Sequence, residues 1–359
     1  MTPKLPTYKN KLLIGISLFF FLVIKYLIIT YHADIKDILH SDQFKYWKLS
    51  NLLLNQKYFD EDFGFLRMPL YPLFLFAIRS ITDQIILIIL FQSIVGFLNI
   101  YLIYKISLYF DKKISYLVIC LSLFNVNIIN ASTFILTEAI HLTFFLYFLL
   151  FFIKYIFTEN IILKKNLNNI IFSAIFLALA TLTRPITIYY LAILPLIFFK
   201  NDFFFKKVFS IILFILIYTM AVSPWNFRNL NYFGEYKLSS SVADNLNGYY
   251  LPYILANDLD ISLIDAKKKI YNDVDLKKID SIDENKKKDF FFKKIKEVKF
   301  ISIVKTWIEG GIKFMFTPAI VETFYNLNID KTSYSNLKFY SFIKRAQFFI
   351  FKNENQMFS

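Results

Sequence analysis

"LALATLTRPITIYYLAILP", residues 177–195, decides how this chain is read. Two apolar runs meet at one Arg-Pro step. Pro185 is suited to the first position of a helix, so Arg184 falls at that helix's N-terminus. A guanidinium fork at the positive end of a helix dipole makes an anion site. The plainer reading is an arginine that only snorkels toward lipid headgroups, and a lysine would serve that equally well. The hairpin predicts two helices side by side in a membrane, with a charge at their shared tip.

The rest of the chain agrees. It has 359 residues, 57% hydrophobic and 20% aromatic, with only seven glycines. That is more apolar than a soluble domain needs. Several windows approach or exceed the roughly 20 apolar residues that cross a bilayer. Spans are expected near 11–31, 85–105, 114–134, 139–157, 167–183, 186–200 and 207–223, with a short helix at 69–82 that enters or lies on the membrane. The expected fold is all-α, a polytopic helical bundle with a large first outer loop. The N-terminal apolar run is too long for a signal peptide and lacks a small-residue cleavage site, so it reads as an uncleaved span. Cys120 stands alone, which excludes a disulfide within the chain.

The formal net charge of +14 suggests nucleic acid at first sight. The lysines instead sit at span ends and in one polar segment, so nucleic acid is rejected as a partner. With the N-terminus cytoplasmic, the inner segments hold twelve lysines against Asp111, Glu159 and Asp202, as the positive-inside rule requires. Alternation then carries five separate patches to the outer face: "HSDQFKYW" (40–47), "FLRMP" (65–69), "LTEAIH" (136–141), "ATLTRP" (180–185) and "SPWNFRN" (223–229). Hydrophobicity alone does not demand that.

Ionisable groups beside hydrocarbon are expensive, and so are functional candidates. Asp42 reads equally as a helix cap and as a catalytic carboxylate; Tyr46, one turn on, shares its face. Arg67 precedes Pro69 and Pro72 and is read as a phosphate fork or a snorkelling side chain. Glu138, between two apolar runs, needs a partner or water. His141, one turn on, reads as a packed residue. Pro224 is expected to end the seventh span, with Trp225 as an interface anchor and Arg228 and Asn229 at the same edge as Arg184. Carboxylates can act as general bases, and arginines stabilise a phosphate that leaves with growing charge. Together they suit transfer of a group from a lipid-linked phosphate.

Past Phe233 the chain turns polar. Residues 266–299 hold twelve lysines and seven acidic residues with no glycine or proline, as in solvated helices. "FISIVKTWIEGGIKFMF" (300–316) aligns Lys305, Glu309 and Lys313 opposite an apolar face, which fits an interfacial helix or a span. The tail "FKNENQMFS" reads as disordered. Three regions follow: 1–236, a transmembrane catalytic domain; 237–299, a polar lysine-rich periplasmic segment; and 300–359, an amphipathic or membrane-associated end.

In order along the chain, "SDQFKYWKLSNLLLNQKYF" (41–59), "FLRMPLYPLF" (65–74), "TEAIHLTFFLYFLL" (137–150), "LATLTRPITI" (179–188) and "SPWNFRNLNYFGEY" (223–236) resemble the bacterial GT-C glycosyltransferases of family 39, the protein mannosyltransferase-like and aminoarabinose transferase-like enzymes. The resemblance covers about residues 10–236. It implies a polyprenyl (undecaprenyl) phosphate sugar donor, an envelope acceptor (lipid, glycan or protein), and an active site on the periplasmic face of the inner membrane. It implies Asp42 and Glu138 as catalytic carboxylates. Arg184 and Arg228, with Arg67, would hold the donor phosphate, and Tyr46, Tyr71, Trp225 and Asn229 would line the substrate site. Some relatives use a divalent metal ion; no convincing His/Glu ligand set stands out here. Many relatives carry more spans after the "PW-x-x-RN" patch than this chain does. The competing readings are a transporter or flippase of a lipid-linked anionic solute, expected to show inverted repeats and mid-bilayer charges, and a truncated, non-catalytic lipid-phosphate-binding relative.

Overall fold

The computed structural model describes residues 15–19, 21–23, 42–55, 59–64, 66–157, 163–200, 202–273 and 284–316. The expected first span at 11–31 and the tail at 351–359 fall largely or wholly outside them. All described regular structure is helical. Contacts divide the chain into two compact units, Met1–Ser239 and Ser240–Ser359.

The first unit runs α1 (Asp42–Leu54), a 3-10 turn (Glu61–Phe63), α2 (Leu70–Arg79), α3 (Ile85–Ser107), α4 (Lys112–Leu123), α5 (Val126–Ala131), α6 (Glu138–Phe157), α7 (Leu163–Thr183), a 3-10 segment (Pro185–Phe199) and α8 (Phe204–Phe233). Four stretches are long and apolar enough to cross a membrane: Ile85–Ser107, Glu138–Phe157, Asn166–Thr183 and Phe204–Phe233. α6 packs on α3 and α7, and α7 packs on α8. Phe148, Phe152 and Tyr155 of α6 meet Ile170, Ala174, Leu177 and Ala178 of α7 and Phe214, Tyr218 and Val222 of α8. The alanines let backbones approach, and in lipid such packing replaces the hydrophobic drive. Polar cross-links join the same helices. Asn99 Nδ2 donates to the Ala139 carbonyl at 2.9 Å, and Thr143 Oγ1 donates to Asn99 Oδ1 at 2.7 Å. Tyr218 donates to Thr181 Oγ1 at 3.1 Å, and Tyr155 to Ser210 Oγ at 2.8 Å. α3 comes so close to the turn after α5 that a Cβ on Gly96 would lie 2.6 Å from Ser132 Cβ.

Three expectations change. The run at 114–134 is not one helix. It breaks at Phe124, and Asn125 restarts the chain by accepting from the Ile128 N–H at 3.2 Å. The last span does not stop at Pro224. The proline leaves a carbonyl one turn back without its usual N–H, and the Ser223 hydroxyl donates to Met220 O at 3.2 Å. The helix therefore continues to Phe233, where Gly234 closes it at φ 70° with its N–H on Leu230 O. Finally, the second arm of the hairpin is a 3-10 helix of 15 residues rather than an α-helix. At roughly 2.0 Å per residue it reaches about 30 Å, near the thickness of a hydrocarbon core, where an α-helix of that length would fall short.

The second unit holds α9 (Ser241–Asn245), one π-helical stretch (Leu246–Tyr250), α10 (Leu251–Leu259), α11 (Leu263–Asp273), α12 (Glu284–Lys296) and α13 (Phe300–Phe316). Leu251 and Leu255 of α10, Ala266 and Ile270 of α11, and Phe291 of α12 form its core.

Candidate functional site

Asp42 opens α1 and Arg67 lies in the turn before α2. The Arg67 guanidinium donates to Asp42 Oδ1 at 2.5 Å, and Lys45, one turn along α1, approaches the same oxygen at 3.4 Å. Arg67 also reaches the Tyr46 hydroxyl at 3.5 Å and lies 5.3 Å from its ring centre. Its Nε is buried without a hydrogen-bond partner among the described residues. Glu138 opens α6, where a carboxylate complements the helix dipole. Arg184 follows the end of α7, and its Nη1 donates to Glu138 Oε1 at 2.8 Å. Next to this pair, His141 Nε2 lies 2.7 Å from Thr187 Oγ1.

The two pairs converge on Tyr46. Its ring is buried, and burial is the main cause that raises its phenol pKa. Arg67 opposes that shift, Glu138 and Asp42 add to it, and Arg184 opposes it. All four charges therefore act electrostatically on one hydroxyl, and Arg67 touches it. Asp42, Glu138 and Arg184 each keep about 40% of their side-chain surface open (42%, 41% and 42%), so a polar ligand can reach them.

Buried amides hold the frame. Gln43 Oε1 accepts from the Ile135 N–H at 3.0 Å, tying α1 to the turn before Glu138. Tyr71 donates to Gln92 Oε1 at 2.5 Å, and Gln92 Nε2 donates to Phe134 O at 2.7 Å. Arg79 sits 3.7 Å over the Trp47 ring and donates to Ser50 Oγ at 2.6 Å and Asp83 Oδ1 at 2.8 Å, locking α1 to α2. None of these residues stood out in the sequence except Tyr71. Gln92 carried the usable signal, since an amide inside an apolar run needs a partner.

Tyr71 is fully buried and stacks edge-on to Tyr46, 5.0 Å between centres. It supports Tyr46 rather than presenting its hydroxyl to a ligand. The "SPWNFRN" patch also has a structural task. Arg228 donates through Nε to Phe59 O at 2.8 Å, through Nη1 to Gly64 O and Asn229 Oδ1 at 2.8 Å each, and through Nη2 to Asp60 O. Four of its five N–H groups are engaged inside the protein. Gly64, at φ 65°, takes a conformation that favours glycine. Asn229 is fully buried and donates to Lys237 O at 2.7 Å, and Trp225 Nε1 donates to Leu238 O at 2.8 Å. The structure thus joins Asp42, Arg67 and Tyr46 by direct contact and pairs Glu138 with Arg184, the two groups acting on the same Tyr46 phenol electrostatically. It places Arg228, Trp225 and Asn229 in a clamp on the loop 59–64 and the segment after α8.

Among the described residues no three His, Cys, Asp or Glu side chains come together, and both site carboxylates already face arginines. The chain matches no family model, no curated protein and no solved structure.

Proposed function

We propose that this protein is a multi-pass membrane glycosyltransferase of GT-C type, taking a sugar from a polyprenyl phosphate at the outer face of a bacterial inner membrane. One observation carries the reading: two carboxylate–arginine pairs flank a buried tyrosine where apolar helices begin and end. A site with both signs of charge beside hydrocarbon suits a lipid-linked phosphate and a hydroxyl acceptor.

In this reading Arg184 and Arg67 turn toward the donor phosphate, each using N–H groups not engaged with its carboxylate. The acceptor hydroxyl gives its proton to Asp42 as its oxygen bonds the anomeric carbon. The anomeric C–O bond breaks, and the lipid phosphate leaves with the electron pair, its growing charge stabilised by the arginines. Glu138 keeps Arg184 in place, and the neutral Tyr46 hydroxyl hydrogen-bonds the sugar. The sugar and acceptor class stay general: an envelope lipid, glycan or protein.

The test is turnover in lipid nanodiscs with polyprenyl-phosphate sugars, read as released polyprenyl phosphate. Asp42→Asn should keep the fold and donor binding yet lose transfer by roughly 100-fold or more, the scale of general-base catalysis. Near wild-type transfer by that variant would remove Asp42 from the mechanism. Donor binding without turnover by the wild-type protein would favour a carrier or a non-catalytic binder.

A further inference from the structure

The second unit carries a helix that faces the wrong way for water. α13 is amphipathic, and an amphipathic helix in a soluble domain buries its apolar stripe. Here the polar stripe faces inward. Ser302 is buried and donates to Asp258 Oδ1 at 2.8 Å, and the same oxygen accepts the Lys299 N–H at 3.1 Å. Asn257 Nδ2 donates to Thr306 Oγ1 at 2.8 Å and to Glu309 Oε2 at 3.3 Å. Residues 302, 306 and 309 share one side of a helix turning about 100° per residue, and all three face α10.

The opposite side is bare. Phe300 is 77% exposed, Ile301 68%, Trp307 73% and Ile308 57%. Single exposed apolar side chains are ordinary, but four large ones on one helix face mark an interaction surface. Lys305 on α13, Lys299 just before it, and Lys293 and Lys296 at the end of α12 are exposed. An apolar face with a tryptophan, edged by lysines, matches the boundary of a bilayer with anionic headgroups. The chain also reaches this unit directly from α8, an apolar helix of 30 residues, through residues 234–239.

We propose that α13 lies flat in the headgroup–acyl boundary of an anionic bilayer, its apolar face in lipid and its polar face on α10. A spanning arrangement fits less well, because Lys305 and Glu309 lie near the middle of the helix and would be carried into hydrocarbon. This inference does not depend on sugar transfer.

The test uses the full chain in nanodiscs containing anionic lipid, in a Cys120→Ser background. Ile301→Cys, Ile308→Cys and Lys293→Cys are each labelled with a fluorophore and quenched in turn by iodide in water and by bromine on the acyl chains. All three positions are exposed, so labelling leaves the packing intact. The expected result is lipid quenching at 301 and 308 at equal depth, with iodide reaching 308 about five-fold less than 293. Equal iodide access at 308 and 293 would overturn the proposal in favour of an aqueous face. Depths differing by about 10 Å, seven residues of helix rise, would mean a span. Shielding from both quenchers, with cross-linking between copies through the cysteine at position 308, would mean a second copy covers the face.

Discussion

Arg228→Lys separates two accounts of the "SPWNFRN" patch. As a phosphate ligand, Arg228 would leave the loop 59–64 indifferent to its replacement. As a clamp, it fixes that loop through the carbonyls of Phe59, Asp60 and Gly64, with Asn229 as a fourth acceptor. A lysine ammonium keeps the charge, but its three tetrahedral N–H groups cannot follow four acceptors laid out for a planar fork, and about two bonds are expected to be lost. A hydrogen bond from a charged donor contributes about 1.5–3 kcal/mol. The loop carbonyls can turn partly to water, which favours the lower figure, and the loss comes to about 3 kcal/mol. At about 1.4 kcal/mol per tenfold, local opening of the loop should rise roughly 100-fold. Hydrogen exchange reads this at the Phe63 and Gly64 amides, which donate to Asp60 O and Glu61 O. Unchanged exchange in that peptide, with donor affinity lost, would refute the clamp and return Arg228 to the phosphate.

Two further outcomes follow from the geometry. Gly96→Ala pushes a methyl to within 2.6 Å of Ser132, and overpacking of this kind costs about 1–3 kcal/mol, seen as a lower melting temperature that Ser132→Gly partly restores. Folding raises the Tyr46 phenol above its ordinary 10.0, so the neutral form is favoured in the folded protein. Its contribution is complete below pH 10.0 and shrinks as pH climbs toward the raised value. Tyr46→Phe should therefore soften the loss of thermal stability on going from pH 9 to about pH 11, and an unchanged alkaline slope would count against burial as the cause.

The apolar runs made most of the helices legible, because a bilayer-length stretch leaves few alternatives. Glu138 and Arg184 were legible as charges on one outer face, but not as a pair: their contact across 46 residues comes from the packing of α6 on α7. Local chemistry overrode the pattern at Asn125, whose side chain caps a new helix inside an apolar run, and at Pro224, where one serine hydroxyl let the helix continue. The partner of Asp42 was not legible, since Arg67 lies 25 residues away and only the packing of α1 on α2 joins them. Nor was the inward-facing polar stripe of α13. Periodicity gives two faces of a helix and does not say which of them meets protein.

The clamp also sets an order of events. Arg228 and Asp60 are 168 residues apart, and the loop beside the first arginine–carboxylate pair is closed by a side chain near the end of α8. At a synthesis rate of about 5–20 residues per second, Arg228 emerges roughly 10–30 s after the loop it fastens. For that interval the nascent chain carries Asp42 on α1 and Arg67 before α2 on either side of an unfastened loop, and this end of the first unit is finished only when α8 has been made.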